Sequence, residues 1–294
     1  MTAELAYLSA TDALEQFRSK QLAPVELLEA VIARAEAVEP TINAFTDTFF
    51  DQAREQAAAA AEAYAAGTAR PLEGLSVAIK DETAVAGQRL AMGSLVFRDQ
   101  IADHNDPLVQ RVLDAGGIIH ARTAAPEFSM AIVTWTHLHG ITHNPWNPDI
   151  TCGGSSGGAG AALAAGTTTL ANGSDIGGSI RIPSAMNGVT GLKPPWGRVP
   201  EYTPWNREPY AASGAMGRTV ADIAAMLNVI TGPIATDMFS LPRLDLPDRF
   251  PPVAGMRIAL SPDLGYCNPD AEIVDALQAT ACLLYTSPSP RDKF

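Results

Sequence analysis

Between Cys152 and Ser184 the chain reads CGGSSGGAGAALAAGTTTLANGSDIGGSIRIPS, with five serines (Ser155, Ser156, Ser174, Ser179 and Ser184), nine glycines and no histidine. Glycine at this density costs conformational entropy and is kept where backbone must come close to something. A serine hydroxyl becomes a nucleophile when a base takes its proton, and a neutral lysine can be that base. Upstream, Lys80 ends the apolar run LSVAIKD. A lysine at the end of a buried strand loses hydration, which favours its neutral form. The chemistry on offer is attack by a serine with a lysine as base. A strand-end lysine can equally reach back to solvent, so Lys80 gains meaning only in company with the serine loops.

The elements that must position these groups are legible in part. Helices are predicted over ATDALEQFRSKQ with Ser9 or Thr11 as cap, and over PVELLEAVIARAEAV with Pro24 in its first turn and Pro40 as its stop. A third covers FFDQAREQAAAAAEAYAAG, closed by Gly67. From Leu72 the rhythm changes: strand LSVAIKD, helix DPLVQRVLDAGG capped by Asp106, strand IIHA, helix GAGAALAAG and strand TTTLANG. Helix TVADIAAMLNVITG, capped by Thr219, strand GMRIALSPD and helix PDAEIVDALQAT follow. Such alternation predicts an α/β layered sheet covered on both faces. The proline-bearing stretch from Trp196 to Tyr210 reads as an irregular loop.

Read together, SVAIKD, GGSSGG and GSDIGGSIR resemble the three signatures of the amidase signature family, in family order and with Ser155 and Ser179 24 residues apart as in the family. PLVQRVLDAGGIIHARTAAPEF, NPWNP, IRIPSAMNGVTGLKP and GAMGRTVADIAAML extend the resemblance from about Leu8 to about Thr280. It implies a mixed twisted sheet with helices on both faces and a Ser–Ser–Lys triad. In that triad Ser179 is the nucleophile that becomes the acyl-enzyme. Ser155, held by a cis peptide, bridges to Lys80, the neutral base. The backbone N–H groups of Ile176, Gly177, Gly178 and Ser179 form the oxyanion hole, Asp175 and Arg181 hold the loop by charge pairing, and Ser156 hydrogen-bonds within it. A side chain at Gly177 or Gly178 is expected to obstruct the oxyanion hole. The relay suits C–N cleavage, because an amine leaves only once it is protonated. The resemblance implies an amide substrate and no cofactor or metal, and leaves a homodimer open.

Other readings compete. Gly153-Gly154-Ser155-Ser156-Gly157 also fits a G-x-S-x-G elbow, but NPWNPDITC is a poor preceding strand and no histidine follows His143. A glycine-loop anion or nucleotide module is a second alternative, without a G-x-x-x-x-G-K-[ST] or G-x-G-x-x-G motif to support it. His137, His139 and His143 lie close together but lack a completing ligand pattern. Within the family the rival is the glutaminase (A) subunit of a tRNA-dependent amidotransferase. Those subunits usually carry an Asp-Gln pair where this chain has AASGAMGRTV. Cys152 in place of proline and Pro195 in place of threonine are further departures.

The net charge of −12 argues against nucleic-acid or anionic-membrane partners. Three cysteines without a C-x-x-C pair, no basic leader and no long apolar run predict a soluble cytoplasmic protein. The segment CLLYTSPSPRD, Cys282 to Asp292, resembles an in-frame translation of a sequencing adapter. The expectation is therefore one amidase domain over residues 1–281, incomplete at its C-terminus, with 282–294 a non-native tail that is disordered and packs on nothing. A fragment of that kind, with sheet edges and apolar faces left bare, is expected to aggregate and turn over little substrate.

Overall fold

The two runs LSVAIKD and IIHA, expected as strands, form Ser76–Lys80 and Ile118–Thr123, side by side in parallel within a six-stranded mixed sheet. The computed structural model describes residues 2–247, 250, 252 and 256–286, in two units, residues 1–248 and 249–294. The first unit opens with α1 (Thr2–Leu5), α2 (Ala10–Arg18), α3 (Pro24–Ile42), β1 (Phe45–Thr48) and α4 (Phe50–Ala66). It continues with β2 (Ser76–Lys80), α5 (Pro107–Asp114), β3 (Ile118–Thr123) and a small hairpin of β4 (Trp135–Thr136) and β5 (Gly140–Ile141). Then come α6 (Gly157–Ala165), β6 (Leu170–Asp175), α7 (Arg181–Asn187), β7 (Thr190–Gly191), β8 (Ala212–Gly217) and α8 (Val220–Ile230). The sheet order is β1-β3-β2-β6-β8-β7, with β3, β2 and β6 parallel and the other pairings antiparallel.

Side chains alternate across a strand, and β2 shows what that does. Val77 and Ile79 enter a core with Leu27, Leu108, Val112, Ile223 and Leu227. Ala78 faces the other way, onto Ala159 and Leu163 of α6 and onto Met216. The same period turns Lys80 toward the α6 side. Helices thus cover both faces, as the alternating pattern predicts.

One open choice is decided and several details differ from expectation. Ser9 rather than Thr11 caps α2, accepting from Asp12 N at 3.1 Å. Pro40 does not stop α3; a proline in the last turn removes a single helical bond, and the helix ends two residues later at Ile42, with Asn43 as a left-handed C-cap at φ 48°. The Asp106 carboxylate accepts from Ala84 N at 2.7 Å instead of capping α5. Nor does GMRIALSPD form a strand: its described residues, Met256–Asp263, hold no regular strand or helix, because a strand needs a paired neighbour. In the second unit α9 (Ala271–Thr286) runs through Cys282–Thr286, correcting the expectation of a disordered tail over those residues. No proline interrupts that segment, so the helix propagates; the rest of the tail lies outside the described residues. No helix among the described residues is long and apolar enough to cross a membrane.

The amino-terminal helices are tied down by residues far along the chain. Asp222 Oδ1 accepts from Thr11 N at 3.2 Å, and Arg218 donates to the carbonyls of Leu8 and Thr168. At the end of α3, Glu39 accepts from Ala44 N and Phe45 N at 2.9 and 3.0 Å, and burial pushes its carboxyl up to about 7. A raised carboxyl favours the folded state at low pH, and that contribution fades as pH rises through about 7. Glu39→Gln is therefore expected to flatten the fall in stability between pH 5 and 8, by up to about 3 kcal/mol. Identical pH profiles of chemical denaturation for parent and variant would remove Glu39 from that account.

Candidate active site

Strands β2 and β6 run parallel and both end beside α6, and the serine loops meet there. In parallel sheets the carboxyl ends of strands are where ligands bind. Lys80 closes β2 and is fully buried. Its N–H donates to Asn172 Oδ1 at 2.8 Å, and its carbonyl accepts from the buried Arg122 guanidinium at 3.1 Å. With its backbone pinned from both neighbouring strands, the side chain has one way to go. Lys80 Nζ lies 2.7 Å from Ser155 Oγ, 2.8 Å from Ser174 Oγ and 3.0 Å from Glu82 Oε1. Burial pushes the Lys80 ammonium below the ordinary lysine range, while Glu82 and Asp175 pull the other way.

Ser155, also buried, precedes α6, and the Gly154–Ser155 peptide is cis. The backbone of residues 131–133 presses on this loop. A Cβ at Gly154 would sit 2.8 Å from Ala131 O and Val133 N. Ser156 accepts from Ser174 N at 3.3 Å, and its own N–H donates to Ser179 O at 3.1 Å, tying the two serine loops together. Ser155 and Ser179 both line a cavity of about 470 Å³. No hydrogen bond joins their hydroxyls among the described residues.

The loop that carries Ser179 is organised by Asp175. Its buried carboxylate accepts from Gly178 N at 2.7 Å, Ile180 N at 3.1 Å and Arg181 N at 3.3 Å. It also pairs bidentately with Arg181, Nε and Nη2 each at 2.9 Å. Burial opposes ionisation, yet Arg181 and these N–H groups together draw the carboxyl down to about 2. The Gly178 N–H is thus committed to Asp175 and is not free for an oxyanion. The N–H groups of Ile176, Gly177 and Ser179 have no acceptor among the described residues. A Cβ at Gly177 would meet no protein atom within 4 Å and would stand in open space. Gly178 is the constrained position, with φ +123° and a Cβ that would lie 2.7 Å from Ile182 Cδ1. Gly178→Ala should cost about 1–3 kcal/mol and disorder the loop, whereas Gly177→Ala should melt within about 2 °C of the parent. Equal melting temperatures for the two variants would contradict this assignment.

Two neighbours of the lysine escaped the sequence reading, Glu82 and Ser174, as did Ser129, whose hydroxyl donates to Glu82 Oε2. Ser174 sits inside the glycine-serine motif. Glu82 follows Lys80 by two residues and returns toward it where the strand ends. The histidines scatter: His139 Nε2 is 3.9 Å from Asp81, and His143 Nδ1 is 3.0 Å from Pro148 O. No group of three or more His, Cys, Asp or Glu side chains able to hold a metal occurs among the described residues.

A family model, Amidase, matches residues 26–288. The chain belongs to the Amidase family. An acylamidase from Rhodococcus erythropolis is 42% identical over 284 residues, which is 94% of this chain and 60% of that protein. The A subunit of a glutamyl-tRNA(Gln) amidotransferase from a Synechococcus species is 40% identical over 228 residues, 76% of this chain and 46% of that one. Among solved structures, a bacterial aryl acylamidase of the amidase signature family superposes with a TM-score of 0.86 at 32% identity, covering 95% of this chain and 59% of the other. The chain thus spans about half to three fifths of the length of these Amidase relatives.

Proposed function

We propose that this chain carries the catalytic centre of an amidase that cleaves a carbon–nitrogen amide bond through a Ser–Ser–Lys relay. The observation that carries the reading is a fully buried lysine amine 2.7 Å from Ser155 Oγ, in a loop bonded to that of Ser179. Ser155 passes its proton to the neutral Lys80 while taking one from Ser179. Ser179 Oγ adds to the carbonyl carbon, and the oxyanion takes the N–H groups of Ile176, Gly177 and Ser179, each worth roughly 3–4 kcal/mol in the transition state. The proton returns through Ser155 to the leaving nitrogen, the C–N bond breaks, and water then releases the acyl group by the reverse relay. The cavity wall carries an apolar part, with Leu108, Met130, Ile176 and Trp205, beside charged groups that include Asp106, Glu201 and Arg207; the apolar part suits an acyl group with hydrocarbon character. Cys152 and Cys267 form no disulfide, which fits a cytoplasmic setting.

The glutaminase reading is kept alive by the 40% identity to the A subunit of an amidotransferase. Against it, the AASGAMG segment that lacks the Asp-Gln pair runs into β8 of the central sheet. The deciding experiment screens the whole protein against aliphatic, aromatic and amino-acid amides, with and without the other amidotransferase components. Hydrolysis of simple amides alone supports the amidase. Glutamine turnover that rises only with those components would reverse the assignment.

A further inference from the structure

The Lys80 amine has three oxygen neighbours, and two of them belong to the relay or its motif. The third is a carboxylate. An ammonium group has three protons, and Ser155, Ser174 and Glu82 match them one for one. A neutral amine has two N–H bonds and one lone pair. If Ser174 and Glu82 each keep an N–H, the lone pair is left facing Ser155, the group whose proton it must accept. Glu82 is itself held: its side chain is 17% exposed, and Ser129 Oγ donates to its second oxygen. Phe128 and Ser129 take left-handed backbone conformations, φ 51° and 58°, so this contact is maintained against local strain.

We infer that Glu82, clamped by Ser129, is a positioning residue that aims the Lys80 lone pair at Ser155 and sets the pH above which Lys80 becomes the base. This rests on the reading of Lys80 as the base. When Lys80 takes the Ser155 proton, the resulting ammonium forms an ion pair with Glu82. The same pairing favours a protonated lysine before reaction. Glu82 therefore strengthens the base and raises the pH at which it is available, and these effects separate experimentally. Other charges surround the pair: Asp175 at the end of β6, Asp106 before α5, Glu201 in the loop before β8, Arg122 on β3 and neighbouring Asp81. All remain when Glu82 is replaced.

The test is the rate of fluorophosphonate labelling at Ser179 as a function of pH, in the whole protein and in Glu82→Gln and Glu82→Asp. In Glu82→Gln the midpoint of the acid limb should fall by about one pH unit or more, and the plateau rate by about 10- to 100-fold. Glu82→Asp, which restores the charge at slightly greater reach, should recover part of both. An unmoved midpoint in either folded variant would overturn the proposal. In the parent, the Glu82 carboxyl ¹³C resonance should shift as Lys80 titrates, and independence of the two overturns it even if no variant folds. A parent that takes no label at Ser179 would defeat the triad reading first and this proposal with it.

Discussion

Replacing Ser179 with alanine should abolish amide hydrolysis and fluorophosphonate labelling together, a loss on the order of 10⁴–10⁶-fold in turnover. The expectation follows from position as much as from residue type. Ser179 stands in a loop whose flanking residues Gly178, Ile180 and Arg181 are tied to Asp175, beside backbone N–H groups that have no other acceptor among the described residues. Deleting one hydroxyl leaves that scaffold in place, so the melting temperature should stay close to the parent's while turnover disappears. Residual turnover measures what the oxyanion donors and binding supply alone. If labelling persists in Ser179→Ala and maps to Ser155, the nucleophile-elbow reading replaces this one.

Lys80→Ala should cost about 10³–10⁵-fold in turnover, with Ser155→Ala somewhat less severe. The buried lysine is held below its ordinary range, so its base form is present above a midpoint lower than the unperturbed ~10.4 and is lost as pH falls through it. Activity should rise with pH across that midpoint in the parent, and the rise should vanish in the variant. Removing Lys80 also strands the Glu82 carboxylate, at a cost of about 3–5 kcal/mol if it stays ionised. Turnover must therefore be read alongside the melting temperature, with the Lys80→Ala, Glu82→Gln double variant as control. Near-parental turnover in a folded Lys80→Ala protein would remove the lysine from the mechanism.

Much of this site was readable because its signals are local. Lys80 closes a short apolar run, and the glycine-serine stretches announce loops that approach something closely. What escaped was whatever depends on partners distant in sequence. β8 is ASGAMG, a strand of small residues with no β-branched side chain; it exists because β6 and β7 pair with it. Pro183 in the first turn of α7 hid that helix inside the motif. Gly178 and Gly177 look alike in sequence, yet one N–H is spent on Asp175 and the other is not. Glu82 reads as an ordinary polar residue after a strand until the chain turn brings it back to Nζ.

The long-range ties of the amino-terminal helices bear on how the protein is made. Thr11 waits for Asp222, and Leu8 for Arg218, so α2 cannot complete its docking until more than two hundred further residues have been synthesised. At about 5–20 residues per second that is roughly 10–40 s during which its buried face, with Leu14 and Phe17, has no finished core to enter. The last pieces of this core to arrive secure the first pieces made. Nascent chains arrested before residue 218 should therefore hold an amino-terminal segment open to chaperones and proteases, and those arrested well past 222 should close it.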